Sequence, residues 1–149
     1  MRQHWASWHL IGQLGTNEVK YAAKSFYLIH SLDSSRLARE MQTRAADQGR
    51  EVRVLVQVNM SGEPSKLGVS EAGLRTLLEQ VATLPLVRVQ VLTTIAPLVV
   101  DMEEARPWFR RLYEPAARVQ ELCILGVEMR ELSMGITQDF AVGIQEGKP

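Results

Sequence analysis

The chain has 149 residues, enough for one domain with a single hydrophobic core. Hydrophobic residues make up 46% and charged residues 23%, which is typical of globular proteins and argues against disorder or a fibrous repeat. Lysine plus arginine and aspartate plus glutamate are equal at 17 each, so no bulk positive charge favours a nucleic-acid partner.

Short β-rich runs alternate with longer amphipathic runs along the chain. Strands are predicted at residues 8–14, 26–32, 53–60, 87–95 and 127–134. A helix is predicted after each strand, at residues 17–24, 36–47, 70–83, 101–122 and 138–145. The third strand is nearly unbroken in Val and Leu, as expected of a strand buried on both faces.

Residues with capping side chains mark several helix ends. Thr16 or Asn17 is expected to cap the first helix, and the cluster Asp33-Ser34-Ser35 the second. Gly49 is expected to end the second helix, and Ser70 to cap the third.

The alternation of strands and helices predicts right-handed βαβ units around a parallel sheet. Two architectures use such units: an open doubly wound sheet and part of a (β/α)8 barrel. No linker-like or low-complexity tract divides the sequence, so residues 1–149 are predicted to be a single domain.

The expected location is the cytoplasm, with no membrane partner. No apolar run approaches the ~20 residues needed to cross a bilayer, and the start lacks the apolar stretch of a signal peptide. Cys123 is the only cysteine, which excludes an internal disulfide and favours a small buried apolar filler over a catalytic thiol.

In both architectures, ligands bind at the carboxyl ends of the strands. Ser133-Met134-Gly135 stands at such an end, where a strand leads into a helix whose free N–H groups favour an anion. The same residues are equally typical of a turn with a helix cap. The motif alone does not decide between a phosphate site and a cap.

Other polar residues at the strand ends have simpler interpretations. His9 and His30 are more typical of structural histidines, because neither has a Cys or carboxylate at metal-ligand spacing, and no metal site is predicted. Lys66 is more typical of a solvated loop lysine, although the strand end would let it meet an anionic ligand. Nucleotide-binding glycine motifs and the Gly-x-Ser-x-Gly elbow are absent from the sequence.

Several longer motifs resemble one family, the YggS/PROSC-type pyridoxal 5'-phosphate homeostasis proteins. They occur in the family's order over nearly the whole chain. They are WHLIGQLGTNEVKY (8–21), LIHSLDS (28–34), VLVQVNMSGEPSKLG (54–68), TIAP (94–97), EEARPWFRRL (103–112) and ELSMGITQDFAVGIQEG (131–147).

The resemblance implies a (β/α)8 TIM barrel of pyridoxal phosphate fold-type III, similar to the alanine racemase N-terminal domain. It implies that Ser133, Met134 and Gly135 hold the cofactor phosphate. His9, Asn59, Lys66 and Thr94, at the other strand ends, are weaker cofactor-binding candidates. Family members have no established catalytic turnover, so no catalytic residue is expected. They look like carriers or regulators of the cofactor pool.

The family's first strand carries a lysine that forms a Schiff base with the cofactor, and neither this strand nor the next has a counterpart here. The family's last strand is also missing, so the chain is expected to be truncated at both ends and to keep about strands three to seven. Inside the match, Gly15, Glu18, Val91 and Thr93 stand where Gln, Lys, Gly and Met are usual.

The function predicted by the resemblance is therefore binding of pyridoxal 5'-phosphate without catalysis, with binding weakened or lost if the lysine strand is essential. An alternative is a structural or interaction fragment that pairs with a second copy through open sheet edges. A racemase-like enzyme is a further alternative, although its chemistry would need the missing lysine, and a shared fold does not carry function.

Overall fold

The computed structural model describes residues 6–63, 66–96, 101–128, 132–135 and 138–147. The strands are β1 (His9–Leu10), β2 (Leu28–Leu32), β3 (Val52–Asn59), β4 (Val69–Ser70), β5 (Val87–Thr93) and β6 (Leu132–Ser133). The α-helices are α1 (Val19–Ser25), α2 (Ser35–Gln48), α3 (Glu71–Val81), α4 (Arg106–Glu121) and α5 (Phe140–Glu146), and a 3-10 helix at Met102–Ala105 precedes α4.

The strands form one parallel sheet in the order β1-β2-β3-β5-β6, with β4 paired to the end of β3. This order follows the chain without reversal in the described region, whereas a doubly wound sheet needs a reversal of strand order. The prediction of a barrel is therefore confirmed: the described strands form part of the wall of a (β/α) barrel.

One face of the sheet packs against the helices. Ile29, Val54, Val56 and Val89 are fully buried there, in a single cluster with apolar side chains from α1, α2, α3 and α4. Each such side chain stabilises the fold by roughly 1.5–3 kcal/mol relative to an exposed one. In β3 all five residues 54–58 are at most 5% exposed, which confirms the prediction of a strand buried on both faces.

Two of the predicted helix caps are confirmed. Ser34 accepts a hydrogen bond from the Leu37 N–H at 3.4 Å, and Ser70 accepts one from the Gly73 N–H at 3.1 Å. Gly49 ends α2 with a φ of 62°, a left-handed conformation that costs glycine little.

The start of the chain departs from its prediction. β1 has only two residues, and Gly12 follows it with a φ of 115°, which no regular strand accommodates. Neither Thr16 nor Asn17 caps α1, because the N-cap position is Glu18. The Glu18 carboxylate instead accepts a hydrogen bond from the Gly15 N–H at 2.8 Å.

Two later predictions also need correction. The predicted strand 127–134 is reduced to β6 and an isolated bridge between Val89 and Val127, while residues 129–131 lie outside the described part. Cys123 is exposed rather than buried, in the turn after α4 with a φ of 47°. None of the described helices is long and apolar enough to span a bilayer.

Candidate cofactor site

The sheet face opposite the helices carries its own small apolar cluster of Leu28, Leu55 and Val91. We call this face the inner face. Successive residues of a strand alternate between faces, and residues in register on adjacent strands share a face. Because Val54 and Val56 pack on the helix side, Leu55 and then Gln57 lie on the inner face.

Three polar side chains lie side by side on the inner face, at the carboxyl ends of β3, β5 and β6. Gln57 is in register with Thr93, and Thr93 is in register with Ser133. We call these three residues the polar row. Gln57 is 5% exposed and Thr93 is 7% exposed, while Ser133 is half-buried.

The polar row lacks hydrogen-bond partners within the described residues. None of its three side chains donates to or accepts from any of them. Among the described residues, side-chain atoms that are both fully buried and unpaired occur in Ser31 and Gln48, and none occurs in the polar row. The polar atoms of the row therefore still reach solvent. Buried polar groups in proteins are nearly always paired, and this row is therefore suited to the polar atoms of a ligand.

The segment Ser133-Met134-Gly135 connects β6 to the approach of α5. Gly135 has a φ of 84°, and a Cβ added there would lie 2.9 Å from the Cα of Phe140. A Cβ added to Gly143 would lie 3.2 Å from the Met134 carbonyl oxygen. The half-buried Met134 side chain packs against the core. The adjoining residues 136 and 137 lie outside the described part.

A pair of histidines occupies the β1–β2 side of the inner face. His9 pairs with Leu28, and its Nδ1 lies 3.1 Å from Nε2 of His30. The His9 ring also stacks on Tyr27, with ring centroids 5.9 Å apart. Burial, and then the charge of His9, lower the pKa of His30 below its ordinary value. In the described region no three His, Cys, Asp or Glu residues lie together as metal ligands would.

Asn59 organises the loop that follows β3. Its Nδ2 donates to the Glu63 carbonyl oxygen at 2.8 Å, and its Oδ1 accepts from the Ser61 hydroxyl at 2.8 Å. A Cβ on Gly68 would come within 2.8 Å of the Asn59 backbone nitrogen, so the loop lies directly on the strand end. Asn59 could therefore affect a ligand by holding this loop, while Lys66 is exposed within it.

Thr94 ties three strand ends together. Its side chain is buried and donates to the Val58 carbonyl oxygen at 3.0 Å. Its backbone N–H donates to the Ser133 carbonyl oxygen at 3.3 Å. Because the Thr94 hydroxyl is already engaged, its place in the structure is that of a support for Ser133.

Comparison with known proteins places this geometry in a family. A model of the family described as alanine racemase, N-terminal domain, matches residues 1–140. This chain belongs to the alanine racemase N-terminal domain family. Within the family, it is 44% identical over 140 residues to the pyridoxal phosphate homeostasis protein of Aquifex aeolicus. That match covers 94% of this chain and 60% of the relative.

Solved structures of the family agree in fold. PipY of Synechococcus elongatus without pyridoxal phosphate is 34% identical, with a TM-score of 0.87. PipY with pyridoxal phosphate bound is 33% identical, with a TM-score of 0.84. Both comparisons cover 95% of this chain and 65% of PipY. The chain thus spans about three fifths of the length of these family members.

The family barrel brings together some of the predicted site residues and separates others. Ser133 and Gly135 lie at the end of the inner face, whereas Asn59 and Thr94 use their side chains within the protein. Sequence reasoning missed Gln57. Gln57 is a polar residue at an alternating position of a Val-rich strand, but its place beside Thr93 and Ser133 is known only from the strand register.

Proposed function

We propose that this chain binds pyridoxal 5'-phosphate without turning over a substrate and acts as a carrier or regulator of the cofactor pool. The main support for this proposal is the Ser133 hydroxyl. It faces the inner side of the barrel wall and makes no hydrogen bond to the described residues. Hydroxyl and backbone N–H donors are ordinary partners of phosphate oxygens. The similarity to PipY, which is crystallised with pyridoxal phosphate, supports the same ligand.

The residues present fit a phosphate ester. Ser133 would donate its hydroxyl to the phosphate, and Gly135 allows the chain to turn closely beside it. When bound, the cofactor would supply an aldehyde that reacts with primary amines. Lys66 is the described lysine on this rim, since Lys20 and Lys24 belong to α1 on the helix side of the sheet.

The proposal is tested by titrating the protein with pyridoxal phosphate and following the absorption of the cofactor. Ser133→Ala is expected to weaken binding roughly 10-fold or more, the usual effect of losing one hydrogen bond to a charged group. Ser25→Ala, an exposed serine at the end of α1, is the matched control and leaves binding unchanged. Absence of saturable binding at millimolar cofactor would overturn the proposal.

Covalent attachment is tested separately with borohydride and mass spectrometry. If the aldehyde is held by an amine of this chain, a single modified peptide containing Lys66 is expected, and Lys66→Arg abolishes the modification. Reversible binding with no modified lysine would leave noncovalent binding as the mode. Random modification of α1 lysines would contradict a role for Lys66.

The absence of turnover is tested with the loaded protein and L-alanine in deuterium oxide. A racemase-like enzyme would exchange the α-proton of the amino acid for deuterium, whereas a carrier leaves it in place. Exchange above the rate of free pyridoxal phosphate would overturn the non-catalytic part of the proposal.

A second candidate function is an interaction module. Trp8 and Ile11 beside β1 are 63% and 69% exposed, and Phe140 and Ile144 on α5 are 56% and 63% exposed. Large apolar side chains at both ends of a sheet favour contact with another polypeptide. Light scattering over a range of protein concentrations tests this candidate.

A further inference from the structure

We infer that Gln57 and Thr93 recognise the part of the ligand that carries no phosphate, so that the polar row selects ligands with a hydroxyl or carbonyl group on their ring. This inference rests on the proposed function, because it assumes that the phosphate lies at Ser133. It concerns ligand specificity. Gln57 and Thr93 would contact neither the phosphate nor a lysine that reacts with the aldehyde.

The first step is the spacing along the row. Adjacent strands lie about 4.8 Å apart, so Thr93 is one strand spacing from Ser133 and Gln57 is about two. A phosphate held at Ser133 leaves the remainder of an elongated ligand across β5 and β3. A ligand that runs in this direction passes Thr93 on β5 and then Gln57 on β3, in the order that the strand register gives.

The second step is the contrast with polar side chains that serve the fold. Gln42 accepts a hydrogen bond from the Leu86 N–H at 2.9 Å, and Thr94 donates one to the Val58 carbonyl oxygen at 3.0 Å. Gln57 and Thr93 are about as buried as Thr94 and more buried than Gln42, but they have no such partner in the described region. Their polar atoms still reach solvent, so in the free protein their hydrogen bonds are made to water, and a ligand that covers the row must replace those bonds.

The third step is the chemistry of the row. A primary amide and a hydroxyl both donate and accept hydrogen bonds, and neither carries charge. They therefore suit neutral ring substituents that also donate or accept, such as a hydroxyl group or a carbonyl oxygen. They offer no compensation for a second anionic group, which would be desolvated beside Leu55 and Val91.

The experiment measures affinity for three probes by calorimetry: pyridoxal phosphate, pyridoxal without phosphate, and inorganic phosphate. Gln57→Leu is expected to weaken binding of both pyridoxal compounds roughly 10-fold and to leave phosphate affinity unchanged, and Thr93→Val to do the same to a smaller extent. Ser133→Ala is expected to show the reverse pattern, with phosphate affinity lost and pyridoxal affinity kept.

Thr83→Val is the control, since it removes a hydroxyl after α3 that donates to the Gln80 carbonyl oxygen, away from the inner face. It is expected to leave the affinity for all three probes unchanged. Gln57→Leu is expected to leave the unfolding midpoint unchanged or to raise it, because no internal hydrogen bond is lost. If the leucine variant does not fold, Gln57→Met, which is closer in shape, is measured against the same criteria.

The outcomes separate the two proposals. If the wild-type chain binds pyridoxal phosphate and the Gln57 and Thr93 variants bind both pyridoxal compounds equally well, the specificity role is overturned and the proposed function stands. If Gln57→Met lowers the unfolding midpoint and the affinity for all three probes together, Gln57 is structural and the inference fails. If the wild-type chain binds none of the probes at millimolar concentration, the proposed function fails and the inference with it.

Discussion

The Nδ1 atom of His9 lies 3.1 Å from the Nε2 atom of His30 across the first two strands of the sheet. A hydrogen bond between two imidazoles needs one N–H and one lone pair, so the contact exists only while at least one ring is neutral. Burial, followed by the charge of His9, lowers the pKa of His30, and the folded protein therefore favours the neutral ring. Acid is expected to weaken this part of the inner face.

The first prediction is a loss of stability in mild acid that depends on His30. Above its ordinary pKa of 6.5, His30 is neutral in both the folded and the unfolded chain. Below that pH the unfolded chain binds a proton that the folded chain resists, so the free energy of unfolding falls as pH falls. Urea unfolding at a series of pH values should show this decline, and His30→Gln should flatten it.

The same contact can be followed at the level of one ring. His9→Asn removes a neighbouring charge and is expected to raise the pKa of His30, as measured by nuclear magnetic resonance of the ring protons. An unchanged pKa in this variant would mean that burial alone sets the titration of His30.

The second prediction concerns the loop after β3 and compares two glycines. Gly68 has a φ of 115°, and an added Cβ would lie 2.8 Å from the Asn59 backbone nitrogen, whereas Gly62 has a φ of 72° and no atom within 4 Å of its added Cβ. Gly62→Ala should cost only the left-handed conformation, about 1 kcal/mol. Gly68→Ala adds a clash with backbone and should cost on the order of 3 kcal/mol in urea unfolding. Equal losses would contradict the close seating of the loop on β3.

The third prediction concerns the joint between α4 and α5. The largely buried Glu146 carboxylate binds Arg110 at 2.9 Å and also pairs with Arg106, and these two arginines lower its pKa. Glu146→Gln should speed hydrogen exchange of the α5 amides. The ion pairs stabilise the fold above the ordinary carboxyl pKa of 4.5 and are lost as pH falls below it, so the variant and the wild type should converge in acid.

Glu104→Gln is the matched control for this joint, because Glu104 is exposed and its carboxylate has no ion pair within the described residues. Its α5 amides should exchange at the wild-type rate. If the α5 amides exchange faster in both variants, the cause is the loss of negative charge in general and not the loss of the Glu146 ion pairs.

The sequence predicted best what depends on a few neighbouring residues. Ser34 and Ser70 cap their helices as expected, because the cap and its N–H partner are three residues apart. The predicted length of β1 is wrong, because the strand ends before Gly12, whose left-handed conformation depends on the path of the chain and not on composition. Gln57 could not be assigned to the site, because its neighbour Thr93 is 36 positions away and becomes adjacent only through the strand register.

The last prediction concerns self-association at the α5 side of the sheet. Phe140 and Ile144 are four residues apart, so they share one exposed face of α5, while Val142 is buried on the other face. Burying this exposed apolar face against another chain would be favourable, and the apparent mass in light scattering should rise with protein concentration. The double variant Phe140→Ser/Ile144→Ser should suppress that rise. Leu125→Ser is the control, because it replaces an apolar residue that is 80% exposed in the turn after α4. It should leave the rise in apparent mass unchanged. A concentration-independent monomer mass for the wild type would rule out pairing through this face.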